Sequence, residues 1–231
     1  MRQFWNWVPT DAGAEELRID GYIAERSWFA DDVTPKKFKA ELAARAGDVT
    51  VWINSGGGDV YAAAEIYTAL KEHPGKITVK VDAIAASAAS VIAMAGDAVL
   101  MSPVAMLMIH NPATEIFGQV ADLEKAIDTL GEVKESLINA YQAKTGLPRA
   151  QISRLMDAET QMNVKTAVRL GFADGVLYGD LDALDEVIFD RRTPALAVEA
   201  AFREKLKPLE QPGTSITAAY ERLNLLSSGG N

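Results

Sequence analysis

Apolar and polar residues alternate through ELRIDGYIA (16–24), a period of two that predicts a first strand. After Thr34-Pro35 the spacing lengthens. Thr34 reads as an N-cap, Pro35 as a first helical residue, and KKFKAELAARAG runs helically to a stop at Gly47. DVTVWI (48–53) returns to alternation, with Val49, Val51 and Ile53 facing inward. NSGGGD follows as a turn, and VYAAAEIYTALKEH (60–73) as a helix with Ile66 and Leu70 on one face. Pro74-Gly75 breaks that helix and ITVKVDA (77–83) is the next strand. Strand, helix and strand at this spacing make a βαβ unit, which implies parallel pairing with a right-handed crossover.

The second half continues the pattern. An alanine-rich stretch, VDAIAASAASVIAMAGDAV (81–99), passes from strand into a short helix ending at Gly96. Short strands are expected near AVLM and AMLMIH. Val120, Leu123, Ile127, Leu130, Val133, Leu137 and Tyr141 then recur at steps of three and four. They predict a helix over 119–144, roughly 38 Å long at about 1.5 Å per residue, ended by Gly146 and Pro148. PRAQISRLMDA and VKTAVRLG are further helices, the latter capped by Asn163, and GVLYG is a last strand. Beyond Asp190 three prolines, two short amphipathic stretches and a Ser/Gly tail mark a change of composition. The reading is an α/β domain over 1–190 and a C-terminal appendage over 191–231, partly helical or disordered.

Composition narrows the partners. A net charge of −9 disfavours nucleic acid or an anionic membrane surface. The apolar run 83–95 is too short to span a bilayer, and the start of the chain has no continuous apolar segment of signal-peptide type. A cytoplasmic location is expected. With no cysteine there is neither a disulfide nor a thiolate nucleophile, and two well-separated histidines make a poor metal site. The phosphate-loop patterns are incomplete. No cofactor is expected.

The candidate chemistry starts at Ser87. It stands where a strand feeds directly into a helix, a junction at which free backbone N–H groups collect and a side chain is exposed at the carboxyl end of a parallel sheet. Two roles remain open at this point, a helix cap and a nucleophile. Ser90, one turn on, is expected to face the packed side. A serine nucleophile needs a base, and there are only two histidines. His73 lies in the charged helix end KEHPGK, whereas His110 closes the strand AMLMIHNP, so His110 is the candidate base. The glycines of NSGGG (54–58) are either an ordinary turn or a place where bare N–H groups meet a ligand.

INSGGG, IY in the following helix, AASAAS…MAG, MIHNP, GQVADLE and KTG…GFAD occur together in an order and spacing that resembles the Clp protease proteolytic subunit (ClpP-like) family over roughly residues 15 to 180. With its WNW start and MDAET segment the chain looks closest to the phage and prophage ClpP-like head maturation proteases. The resemblance implies a ClpP/crotonase-like α/β spiral of βαβ units with a long protruding helix. It implies a serine endopeptidase in a self-compartmentalised homo-oligomeric ring, acting on protein or peptide substrates such as a capsid precursor, with an ATP-dependent unfoldase as a possible partner. Position by position it implies Ser87 as nucleophile, His110 as general base, and the N–H groups of Gly58 and Ala88 as oxyanion donors. The third triad member falls on Glu159, with Asp157 in reserve. Gly56 replaces the family's usual Pro, Ala88 its usual Met, and Glu159 its aspartate, and the segment between Gly96 and His110 is shorter than usual. Two alternatives accompany this reading: a catalytically weak or inactive scaffold or assembly protein, and a crotonase-type acyl-CoA enzyme.

Overall fold

The computed structural model describes residues 3–11, 15–24, 35–179 and 181. The expected appendage at 191–231 and the Thr34 cap lie outside the described residues, whereas Pro35 does open a helix. The elements are β1 (Trp5–Pro9), β2 (Glu15–Ile23), α1 (Pro35–Ala43), β3 (Val49–Gly58), α2 (Val60–Lys71), β4 (Ile77–Ala86), α3 (Ala88–Ala93), β5 (Ala98–Met101), β6 (Met106–Met108), α4 (Val120–Thr145), α5 (Arg149–Asp157), β7 (Gln161–Asn163), α6 (Val164–Arg169) and β8 (Gly175–Val176).

The sheet runs β1-β2-β3-β4-β5-β8, with β6 and β7 branching from β4. The β2-β3-β4-β5 core is parallel, as the βαβ spacing requires. Its register sets Leu17, Val51, Val79 and Val99 side by side, and Ile19, Ile53, Val81 and Met101 beside them. All eight are fully buried. Period-two alternation puts one apolar face inward on every strand, and that face is the core. The opposite face carries Arg18, Trp52 and Lys80 in one row, with both cations against the indole ring and Glu16 accepting its N–H.

Two features of the strands position the site. The expected turn at NSGGG is instead the end of β3, which runs ten residues to Gly58 with a register shift between Ile53 and Ser55. The irregularity lets an extended chain carry three glycines to the sheet's carboxyl edge. In addition, β4 changes partner midway. Residues Thr78–Val81 pair with β5, and Ile84–Ala86 pair with β6. The sheet thereby turns away from its first plane and brings the ends of β4 and β6 together.

Every residue from Ala88 to Gly96 is buried. The short α3 packs on β3, β4, α2 and α4 at once, which explains the alanine content, since larger side chains have no free face to occupy. The long helix α4 is closed at its start by the Gln119 N–H donating to Asp122 and at its end by Gly146 in the left-handed region. Only Ile138 and Tyr141 on it are buried, while Val120 and Ile127 are about two-thirds exposed. The apolar stripe therefore packs within the chain in its second half only. The N-terminal aromatics fill the core, with Phe4 and Trp5 buried and Trp5 donating to Glu41. Among the described residues, no helix is long and apolar enough to cross a membrane.

Candidate active site

Ser87 is the residue that joins β4 to α3. Its φ of 54° and ψ of −127° are sterically unfavourable for a residue with a Cβ. The strain is held by neighbours on both sides. Its N–H donates to the Met108 carbonyl, extending the β4–β6 ladder, and its own carbonyl accepts from the Ser90 N–H and Oγ. It stands at the cap position of α3 yet makes no side-chain cap hydrogen bond. The Ser87 hydroxyl instead lies 2.7 Å from His110 Nε2. In the imidazole tautomer protonated on Nδ1, Ser87 O–H donates to Nε2. The capping role is thus not the one it plays.

His110 reaches this point because it follows β6, whose parallel pairing with β4 sets Ala86 against Met108. His73, by contrast, sits at the far end of α2 with Nε2 on the Gly47 carbonyl. On its other side β6 pairs with β7 antiparallel, with Met106 opposite Asn163 and Met108 opposite Gln161. The Ile109 N–H continues the ladder to the Thr160 carbonyl, so the neighbours in sequence on the two sides are His110 and Glu159. Glu159 has a φ of 47° at the end of α5, a conformation that glycine adopts at lower cost. It is exposed, and among the described residues neither it nor Asp157 has a hydrogen bond to the imidazole. Asp157 is occupied elsewhere, accepting from Lys134 Nζ at 2.6 Å and from Asn111 Nδ2 at 3.0 Å. Those hydrogen bonds hold its carboxyl below the usual carboxylate range.

The glycine end of β3 lies against Ser87. A Cβ on Gly57 would stand 2.7 Å from Ser87 Cβ and 3.0 Å from the Ala88 nitrogen, and one on Gly58 would overlap the Ile23 carbonyl oxygen. Gly57 N–H is taken by Ser55 Oγ, which itself donates to the Gly21 carbonyl. Gly58 and Ala88, in contrast, both line the cleft into which Ser87 and His110 open. Ser55 was not singled out in the sequence; its burial inside NSGGG, where a serine on a strand end needs two partners, is what identifies it. The cleft measures about 650 Å³, with Tyr22, Tyr61, Ile116, Leu130 and Val133 among its walls. It is open to solvent, and its walls, drawn from the sheet edge and α4, are mainly apolar. Among the described residues no group of three or more His, Asp or Glu side chains is arranged to hold a metal ion.

The sequence has relatives among known proteins. A sequence profile described as Clp protease matches residues 21–180. The chain is 29% identical over 184 residues to the ATP-dependent Clp protease proteolytic subunit 1 of Chlamydia caviae, covering 73% of this chain and 96% of that one. It is 30% identical over 154 residues to the ATP-dependent Clp protease proteolytic subunit of Porphyromonas gingivalis, covering 64% and 69% respectively. The mixed α/β fold is consistent with that kinship, and the chain belongs to the Clp protease family.

Proposed function

We propose that the protein is a serine endopeptidase in which Ser87 is the nucleophile and His110 its general base. The observation that carries this reading is the 2.7 Å approach of Ser87 Oγ to His110 Nε2, from a residue in a strained conformation whose side chain makes no capping hydrogen bond. His110 takes the hydroxyl proton as Oγ attacks a peptide carbonyl, and then returns it to the leaving amine. The N–H groups of Gly58 and Ala88 bind the tetrahedral oxyanion. Gly57 is less suited to that task because Ser55 already occupies its N–H. Glu159 orients the imidazole. Its position next to Thr160, whose carbonyl accepts from the residue before His110, and its costly left-handed backbone support it over Asp157, which Lys134 and Asn111 engage.

The same reading extends to assembly and substrate. The exposed Phe117, Val120 and Ile127 on and before α4 support a homo-oligomeric ring built through that helix, with the clefts facing an inner chamber. The relatives are named as subunits of ATP-dependent proteases, which favours an ATP-driven unfoldase as partner. The motif resemblance to phage and prophage head maturation proteases points to capsid precursor as the substrate. Incubating a candidate capsid precursor with the protein is expected to yield discrete fragments with wild type and none with Ser87→Ala.

The imidazole left without a carboxylate hydrogen bond favours a second reading, an assembly protein of the same shape with little turnover. Absence of hydrolysis of any fluorogenic peptide, with ring assembly intact, would establish it. A crotonase-type acyl-CoA enzyme has no use for the Ser87–His110 pair, and turnover of an acyl-CoA surviving Ser87→Ala would be its mark.

A further inference from the structure

Ser90 and Tyr141 are two buried hydroxyls that the proteolytic machinery does not directly use. Ser90 Oγ lies 2.6 Å from the Ser87 carbonyl oxygen and 2.9 Å from the Tyr141 hydroxyl. Both side chains are essentially inaccessible, and Tyr141 comes from α4, 51 residues away in sequence. A carbonyl can only accept, so the single Ser90 hydrogen is committed to Ser87. Tyr141 must then donate to Ser90 Oγ. The direction is fixed: Tyr141 O–H to Ser90 O–H to Ser87 C=O. Burial raises the Tyr141 phenol well above its ordinary range, which keeps it a protonated donor. Its ring is held against Phe172.

The Ser87 carbonyl belongs to the same planar peptide unit as the Ala88 N–H. A hydrogen bond to the oxygen at one end of that unit fixes the direction of the N–H at the other end. It also draws electron density toward the oxygen and makes the N–H a better donor, and consecutive hydrogen bonds reinforce one another in this way. The peptide follows a residue with φ of 54° and ψ of −127°, a costly conformation, and its carbonyl is held by the Ser90 and Val91 N–H groups together with the shorter bond from Ser90 Oγ.

We propose that Ser90 and Tyr141 form a hydroxyl relay that orients and polarises the Ser87–Ala88 peptide, making them positioning residues for the Ala88 oxyanion donor. This rests on the serine-protease reading. The relay also ties the nucleophile junction to α4, the helix that carries the exposed apolar stripe and a wall of the cleft. The position of that helix is thereby felt at the oxyanion site.

The test uses Tyr141→Phe, Ser90→Ala and the double variant as full-length protein, with hydrolysis of a fluorogenic peptide and inhibition by a peptide aldehyde as readouts. The aldehyde forms a tetrahedral adduct with Ser87 whose oxygen occupies the oxyanion site. Tyr141→Phe keeps the ring on Phe172, and Ser90→Ala adds one more alanine to an alanine-rich helix, so both variants are expected to fold; a melting curve checks this. Complete loss of an oxyanion donor costs about 10²–10³ in rate, and a misaligned donor should cost less. Each single variant is expected to lower kcat by about ten- to a hundredfold with KM within about twofold, the pattern of an interaction made only in the transition state. Aldehyde affinity is expected to fall by a similar factor, and the double variant to be no worse than Ser90→Ala. Unchanged kcat and aldehyde affinity in a folded Tyr141→Phe would overturn the relay, as would losses that multiply in the double variant. Failure of the underlying reading looks different: wild type itself would not cleave, or Ser87→Ala would.

Discussion

At the scale of single residues, the two acids near His110 have different occupations and can be separated by experiment. Glu159→Gln is expected to lower peptidase activity by about 10²-fold or more, because an amide neither stabilises the imidazolium charge nor favours the productive tautomer. Asp157→Asn should leave kcat within a few-fold. Its effect belongs to stability instead. Lys134 and Asn111 favour the ionised carboxyl in the folded chain, so the wild-type advantage in melting temperature is present above the ordinary value of 3.8 and disappears as the pH falls below it. An advantage that grew on acidification would contradict this assignment. The glycines separate in the same manner. A Cβ at Gly57 would press on Ser87 Cβ and the Ala86 carbonyl, whereas one at Gly56 meets nothing within 4 Å. Gly57→Ala should therefore abolish cleavage, while Gly56→Ala retains activity near wild type.

At the scale of elements, α4 divides into two halves by burial. Its second half packs through Ile138 and Tyr141, and its first half presents Val120, Leu123 and Ile127 to solvent. If that first half is a contact between copies, Ile127→Glu removes no buried contact within the protomer. Sedimentation velocity should then show smaller assemblies at an unchanged protomer melting temperature; assemblies of wild-type size would refute the contact. Helices such as α2, α4 and α6 were legible in the sequence because their caps and periodicity are local, down to Asn163 accepting from the Thr166 N–H. The strands were legible where period two is clear. NSGGG was not, because glycines carry no polarity pattern and read as a turn although β3 continues through them. The strands β1 and β7 were also missed, one hidden in an aromatic run and the other only three residues long.

For the molecule as a whole, the site depends on two pairings that no local pattern reveals. The shift of β4 from β5 to β6 joins Ser87 to His110, and the antiparallel β6–β7 ladder brings the acidic segment alongside. Ser87 and His110, whose side chains meet, could be singled out in the chain because each follows a strand within a short motif. The partner of His110 could not, since two acids two residues apart differ only in where a distant helix ends. Ser90 and Tyr141 were visible singly and not as a pair. If Ser87 is the nucleophile, as proposed, its pairing with the His110 imidazole has one direct chemical consequence, a hydroxyl more reactive than those of the other serines. Treatment with a fluorophosphonate followed by peptide mapping measures that consequence. The adduct is expected on Ser87 alone, with labelling strongly reduced in His110→Ala. No labelling of the assembled wild-type protein, or an adduct on a different residue, would contradict the account.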